Sequence, residues 1–174
     1  MNTLPVDEWT TAISKTAIIR NHDVLGIIAI LPTLRTWTQY RKFTTKTAMA
    51  SDVFQVEGYD RPTENDISTL LCADKHLPGL LMLLKEYIVQ RLDLLKHSTF
   101  KAFHPHLLRS QIQDNLYSIN SVELLGENCY NISIRSQIID DEYLYLVVKA
   151  REDTLIGFDI NVMLDGEDVT LDNI

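Results

Sequence analysis

The sequence LPGLLMLLKEYIVQRLDLLKH, residues 77–97, decides which fold we expect of this chain. Its apolar residues recur at steps of three and four, which places them along one face of an α-helix: Leu81, Leu84, Ile88, Leu92 and Leu95. The opposite face is polar, with Glu86, Gln90, Asp93 and His97. Pro78 suits the first turn of such a helix, where its missing N–H has no partner to lose. A helix that is apolar over most of its circumference is typical of a protein core.

Further helices are predicted on both sides of this stretch. Thr63 and Asp66 have the spacing of a capping box, which predicts a helix that begins there and ends near residues 74–75. After residues 98–99, the stretch from Pro105 to residue 116 predicts another helix, with Leu108, Ile112 and Leu116 on one face. Residues 63–116 therefore predict three helices in succession.

The first part of the chain also favours helices. Residues 6–20 have Trp9, Ile13 and Ala17 at helical spacing. The apolar run VLGIIAIL, residues 24–31, is too short for its period to separate a buried strand from a helix, and we favour the helix. An amphipathic helix is expected over residues 32–49, and residues 50–62 are expected to be a connection.

From residue 117 onward the apolar period changes from about 3.6 to 2. Apolar and polar residues alternate over residues 130–136, 143–150 and 157–164, and a short last strand is predicted over residues 167–171. Turn signals separate these strands at residues 126–128, 140–141, 151–154 and 165–166. Short links between successive strands predict an antiparallel β-meander.

The fold class expected from these patterns is α+β. About five N-terminal helices, in residues 1–116, are predicted to pack on a C-terminal antiparallel meander of four to five strands, in residues 117–174. A chain of 174 residues has the length of one domain, so we expect residues 1–174 to form a single domain.

The composition is that of an ordinary globular protein, with 45% hydrophobic and 23% charged residues. We expect a cytoplasmic protein without a membrane segment, because no secretory signal begins the sequence and its longest apolar run is short. Cys72 and Cys129 are too few for a disulfide framework. We expect them to be buried free thiols, one in a helix and one in a strand, and a single disulfide is the alternative.

The charge is unevenly distributed along the chain, whose formal net charge is −8. Residues 1–50 carry six Lys and Arg against three Asp and Glu, a balance of +3, and residues 51–174 carry ten against twenty-one, a balance of −11. Such asymmetry can mark a basic contact surface on an acidic body. The acidic excess argues against a general nucleic-acid binder and suits a basic protein partner.

Two groups of residues are candidate binding sites. The segment 33–47 is both basic and aromatic, with Trp37, Tyr40, Arg41 and Lys42. These residues form either the core-facing and solvated sides of a helix or a contact surface for a protein or nucleic acid. The acidic turn Asp140, Asp141 and Glu142 is a candidate contact for a basic partner.

No sequence signature of a nucleophile, a phosphate-binding loop or a metal site is present. His97, His104 and His106 lie within ten residues of one another, but a metal site would need further ligands. We therefore expect no cofactor and no metal. The late Asp and Glu residues fall mostly in turns, where Asp is favoured for its backbone conformation.

The function expected from these observations is non-catalytic protein binding inside the cell. An inhibitor, an immunity or antitoxin-like protein and a chaperone would all fit, acting through an acidic surface or an edge strand. A homodimer is compatible with the same features. The alternatives are a nucleic-acid-associated factor that uses segment 33–47 and an enzyme whose site assembles from scattered Asp, Glu and His residues.

Overall fold

A computed structural model describes residues 2–3, 17–42, 53–94, 105–114, 116–136, 143–164 and 167–171. The first part contains five strands: β1 (Asn2–Thr3), β2 (Ile18–His22), β3 (Gly26–Leu31), β4 (Thr36–Lys42) and β5 (Val53–Tyr59). Two helices follow, α1 (Glu64–Leu94) and α2 (Pro105–Gln113). The last part contains β6 (Tyr117–Gly126), β7 (Cys129–Ser136), β8 (Tyr143–Arg151), β9 (Thr154–Leu164) and β10 (Glu167–Leu171).

These ten strands form one mixed sheet. Its order is β10-β9-β8-β7-β6-β5-β4-β3-β2, and β1 pairs with the far end of β4, where Asn2 lies opposite Lys42. Neighbours are antiparallel except β5 and β6, which are parallel and place Glu57 opposite Glu123. The two helices form the crossover that this parallel pair requires.

The predicted architecture of about five helices on a short meander is wrong. Residues 18–22, 26–31, 36–42 and 53–59 are strands, so the helical part does not extend over residues 1–116. In β4, Trp37, Gln39 and Arg41 share one buried face at every second position, which is the period of a strand, and Thr38 is buried on the other face. The spacing of the aromatic residues in this segment is compatible with a helix, but Trp, Thr and Tyr are also favoured in β-strands. Of the helix predicted over residues 6–20, residues 18–20 are part of β2, and residues 6–16 lie outside the described residues.

Helix α1 is continuous where two helices were predicted. The predicted capping box is confirmed, since Thr63 N–H donates to Asp66 Oδ2 at 2.9 Å and Asp66 N–H donates to Thr63 Oγ1 at 3.1 Å. Pro78 lies inside the helix and does not begin it. Burial continues at helical spacing through Leu77 and Leu80. This burial explains why the helix continues despite the backbone hydrogen bond that a proline removes.

The core lies between the sheet and the buried face of α1. The helices pack mainly on β6, β7 and β9. Leu84, Ile88 and Leu92 are buried as predicted. Leu81 is partly buried against them, and Leu95 lies outside the described residues.

The predicted C-terminal antiparallel meander is present as β6 to β10. The turn between β6 and β7 is formed by Glu127 and Asn128, whose φ angles of 51° and 58° match a two-residue hairpin. β9 and β10 pair Leu164 with Glu167, which leaves two residues between them. The predicted turns at residues 140–141 and 165–166 themselves lie outside the described residues.

One described helical stretch, Glu64–Leu92, is long and apolar enough to cross a membrane by length and composition alone. The core helix of a water-soluble protein passes the same two tests. In this fold α1 buries one face against the sheet, so these two properties do not assign it to a membrane.

Candidate functional site

The structure places two residues of the predicted basic and aromatic site in the interior. Trp37 is fully buried, and its indole lies against Gly58 of β5. Arg41 is 8% exposed and forms an ion pair with Asp74 of α1 at 2.9 Å. Both side chains lie on the sheet face that α1 covers, because successive side chains of a strand alternate between faces.

The other two residues of that predicted site lie on the opposite face of the sheet, against which no helix of the described residues packs, and we call it the helix-free face. Tyr40 is half-buried there, and Lys42 is exposed at the end of β4. Burial raises the pKa of Tyr40, and the nearby Glu57 carboxylate adds to this rise. The structure therefore does not bring the four residues to one surface. Asp140, Asp141 and Glu142 lie outside the described residues.

A groove lies at the β2 edge of the sheet, on the face that α1 covers further along. Its volume is about 760 Å³. Its lining comes from β2, β3, the turn between β3 and β4, and the segment between β5 and α1. The apolar part of the lining consists of Ile18, Ile28, Ile30, Pro32 and Pro62. We call this feature the edge groove.

The polar lining of the edge groove is mostly basic. It comprises Arg20, Asn21, His22, Arg35, Asp60 and Arg61. Arg35 donates from Nε and NH2 to the two carboxylate oxygens of Asp60, each at 3.0 Å. These hydrogen bonds lower the pKa of Asp60. Because Asp60 is occupied by Arg35, it does not neutralise the other two arginines.

Arg20 and Arg61 are both exposed. In the part of the chain that the structure describes, neither side chain has a hydrogen-bond or ion-pair partner. Two cations thus line an apolar groove in a chain whose net charge is −8. A groove of this kind favours a ligand that is apolar along its length and carries a carboxylate or another anion.

His22 supplies a hydrogen-bonding group at one end of the edge groove. Its Nδ1 accepts hydrogen bonds from the N–H groups of Val24 and Leu25, both at 3.3 Å. Because Nδ1 is an acceptor, the hydrogen of the neutral ring is on Nε2. The ring therefore offers Nε2–H as a donor in the lining of the groove.

Among the described residues, the outer side of β2 is an open edge of the sheet. The strand order ends at β2, and no other described strand pairs with that side. Ile18 and Ile19 on this strand are 39% and 37% exposed. An open strand edge presents backbone N–H and C=O groups to which another extended chain can pair.

A pair of carboxylates, Glu57 and Glu123, lies on the helix-free face at the parallel junction. Gln55 Nε2 donates to Glu57 Oε2 at 3.2 Å, and Asn131 Nδ2 donates to Glu123 Oε2 at 2.8 Å. Burial raises the pKa of Glu57, and the hydrogen bond from Ser121 opposes that rise. Catalytic acids have raised pKa values, but burial, with a further contribution from the nearby Glu123 carboxylate, accounts for this one.

No group of three or more His, Cys, Asp or Glu side chains that could hold a metal ion occurs among the described residues. His97 and His104 are not among them. Cys72 lies in α1 and Cys129 in β7, as predicted, and both are free. Cys129 is buried, whereas Cys72 is only partly buried. Cys129 Sγ accepts a hydrogen bond from Arg151 Nε at 3.1 Å.

Sequence reasoning missed the residues of the edge groove. The positive charge balance of residues 1–50 indicated a basic surface, but it did not select Arg20. The signal that could have identified them is the spacing of Ile18, Arg20 and His22, which at every second position share one face of a strand. It was overlooked because residues 6–20 were interpreted as one helix.

Comparison with protein-family models, with curated proteins and with solved structures finds no significant match to this chain.

Proposed function

We propose that this protein is a non-catalytic, cytoplasmic protein-binding protein that pairs an extended segment of a partner protein with β2. The observation that carries this proposal is the open edge of β2 directly beside the edge groove. Backbone pairing along a strand edge supplies affinity, and pockets for alternate side chains supply specificity. In this protein, the open edge belongs to β2, and side chains of the same strand line the edge groove.

The size of the edge fits a short peptide segment. β2 has five residues, so a paired segment of similar length would extend about 17 Å along it. Such an interface is small, and we expect the binding to be reversible unless the partner makes further contacts. Inhibition, immunity and chaperoning are roles that such a binder can perform, and the identity of the partner distinguishes them.

The competing functions have less support from the geometry. A nucleic-acid surface on segment 33–47 would need Trp37 and Arg41 to be accessible, but both are buried. An enzyme would need convergent polar groups aimed at one reacting atom. The cations of the edge groove instead lie along an apolar lining, which suits recognition of a chain segment better than catalysis.

The test compares two variants that add the same charge at similar exposure. Ile19→Lys replaces an apolar contact on the edge strand, and Ile156→Lys makes the same change on β9, which is paired on both sides. Proteins captured by the wild type from a lysate of its native cells are identified by mass spectrometry. We expect a partner that Ile156→Lys retains and Ile19→Lys loses, with slower amide hydrogen exchange of residues 18–22 in the complex.

Two results would overturn the proposal. One is a partner that both variants retain, with protection elsewhere on the surface. The other is self-association. In this case, light scattering would show a molar mass that rises with protein concentration for the wild type and not for Ile19→Lys. That result would make a second copy of the chain the occupant of the edge, since an open strand edge can pair with the same edge of another copy.

A further inference from the structure

We infer that the segment paired with β2 has a defined alternating pattern: an apolar residue, an acidic residue and a hydrogen-bond acceptor at every second position, facing Ile18, Arg20 and His22. This inference rests on the proposed function and specifies the partner's chemistry. It follows from the placement of those three side chains in the lining of one groove.

The geometry of a β-sheet sets the spacing. Ile18, Arg20 and His22 alternate along β2, so they share one face of the sheet. Residues directly opposite one another on neighbouring strands also share a face. Three alternate residues of an added strand would therefore lie over the edge groove, and the residues between them would face the helix-free side.

The first position is apolar because of the surfaces around Ile18. Ile30 lies opposite Ile18 in the β2–β3 pair, and Ile28 and Pro32 belong to the same lining. Ile18 itself is 39% exposed. An apolar side chain placed there would bury part of this surface, which is the main source of binding free energy at such contacts.

The second position is acidic because Arg20 and Arg61 both line the groove and have no partner among the described residues. A neutral or basic side chain at this position would leave both cations unpaired as the groove loses water. A carboxylate would pair with one or both guanidinium groups and form charge-assisted hydrogen bonds.

The third position is a hydrogen-bond acceptor because of His22. Its Nδ1 is already occupied by two backbone N–H groups, so Nε2–H is the group that remains for a ligand. A hydroxyl, amide or carboxylate oxygen would satisfy it. The three positions together define a sequence pattern, so binding should depend on the order of the residues in the segment and not only on its net negative charge.

There is a competing explanation for the charges on β2. Charged side chains on an edge strand can protect a sheet from unwanted pairing with other chains. In that case β2 would bind no extended segment, and acidic peptides would have no advantage over neutral ones. The experiment distinguishes these explanations.

The probes are synthetic heptapeptides of alternating valine and threonine. One has a single glutamate in a valine position and a threonine in the next valine position, so that valine, glutamate and threonine share one face in the order of the inferred pattern. A second has the glutamate moved by one residue, which keeps the composition and places glutamate among threonines. A third has glutamine in place of the first glutamate. Binding is followed by amide chemical shifts of residues 18–22 in the full-length protein.

We expect the first peptide to bind about two- to fivefold more tightly than the third, since a single exposed ion pair contributes modestly. This advantage should shrink at high salt. Arg20→Glu should reverse it in favour of a peptide with lysine at the same position. Lys75→Glu, a charge reversal on the exposed side of α1, should leave it unchanged.

The failures of the two proposals are distinguishable. Equal shifts of the β2 amides with the first, second and third peptides would show that the edge pairs with strands but has no acidic pattern, which overturns this inference alone. Shifts that are absent with all three peptides at millimolar concentration would overturn the proposed function as well. Reversal by Lys75→Glu would show a general charge effect and would also overturn the inference.

Discussion

Arg41 of β4 and Asp74 of α1 form an ion pair that joins the sheet to the helix. NH1 and NH2 of Arg41 lie 2.9 Å from Oδ1 and Oδ2 of Asp74, and the two side chains are 10% and 22% exposed. Burial raises the pKa of Asp74 even though Arg41 opposes this rise. The pair therefore offsets a desolvation cost that each partner would incur alone.

Removal of one partner should be more costly than removal of both. We expect Arg41→Met to lower the free energy of unfolding by about 2–4 kcal/mol, because it leaves the Asp74 carboxylate half-buried without its cation. The double variant Arg41→Met/Asp74→Leu should recover at least half of that loss. Urea denaturation followed by circular dichroism measures both. Additive losses in the double variant would show that the pair is not coupled.

The buried face of α1 should not tolerate charge. Ile88 is 0% exposed, and Ile88→Asp should cost more than about 4 kcal/mol and unfold the protein, because it buries a carboxylate without a partner. Met82, on the same helix, is 83% exposed. Met82→Asp should therefore remain folded, with a loss of less than about 1 kcal/mol. Thermal unfolding compares the two, and a folded Ile88→Asp variant would contradict the packing described here.

A side chain at Gly58 should disturb the core tryptophan. A Cβ at this position would lie 2.5, 2.8 and 3.1 Å from three indole atoms of Trp37. Gly58→Ala should cost about 1–3 kcal/mol by overpacking. In a Trp9→Phe background, where Trp37 is the remaining tryptophan, its fluorescence maximum should shift.

The matched control for this change is Gly79→Ala. Gly79 lies in α1, and a Cβ there meets no atom within 4 Å. Alanine is favoured over glycine inside a helix, so this variant should gain about 0.5–1 kcal/mol without a change in fluorescence. An equal response to both substitutions would show that contact with Trp37 does not determine the effect.

Glu57 should make stability depend on pH in a defined direction. Burial raises its pKa, so the native state binds more protons than the unfolded state between the ordinary glutamate pKa and the raised value. Stability contributed by this group is therefore present below that interval and is lost as pH rises through it. Glu57→Gln removes the titration, so its advantage over the wild type should grow with pH across the same interval. Urea denaturation at a series of pH values measures this, and parallel curves would contradict it.

Local patterns were sufficient where the physical cause is local. Thr63 and Asp66 satisfy each other's backbone groups within one turn, so their spacing alone predicted the start of α1. The alternation in residues 130–136 predicted β7 because a strand with one buried face needs that period. The turn at Glu127 and Asn128 was predicted because the residue types in a tight turn are themselves the signal for it.

In the first half of the sheet, the strands β2, β3 and β4 also pair across short turns, but their local pattern did not identify them as strands. Ile28 and Trp37 are buried in a core that the distant helix α1 completes. A short apolar run has no feature of its own that separates this arrangement from a helix. Pro78 was predicted to lie in the first turn of a helix. It lies inside α1 instead, because burial of the residues on both sides keeps this helix continuous.

The sequence by itself determined the capping of α1, the buried face of its second half and the antiparallel meander, because residues a few positions apart set all three. Only the tertiary structure decided that residues 18–22, 26–31, 36–42 and 53–59 are strands and that Arg20 and Arg61 line one groove. Those two residues are far apart in sequence, and both line the groove because β2 lies at the end of a sheet whose β5 leads into α1. The candidate binding site exists through that pairing order, which depends on contacts between distant parts of the chain.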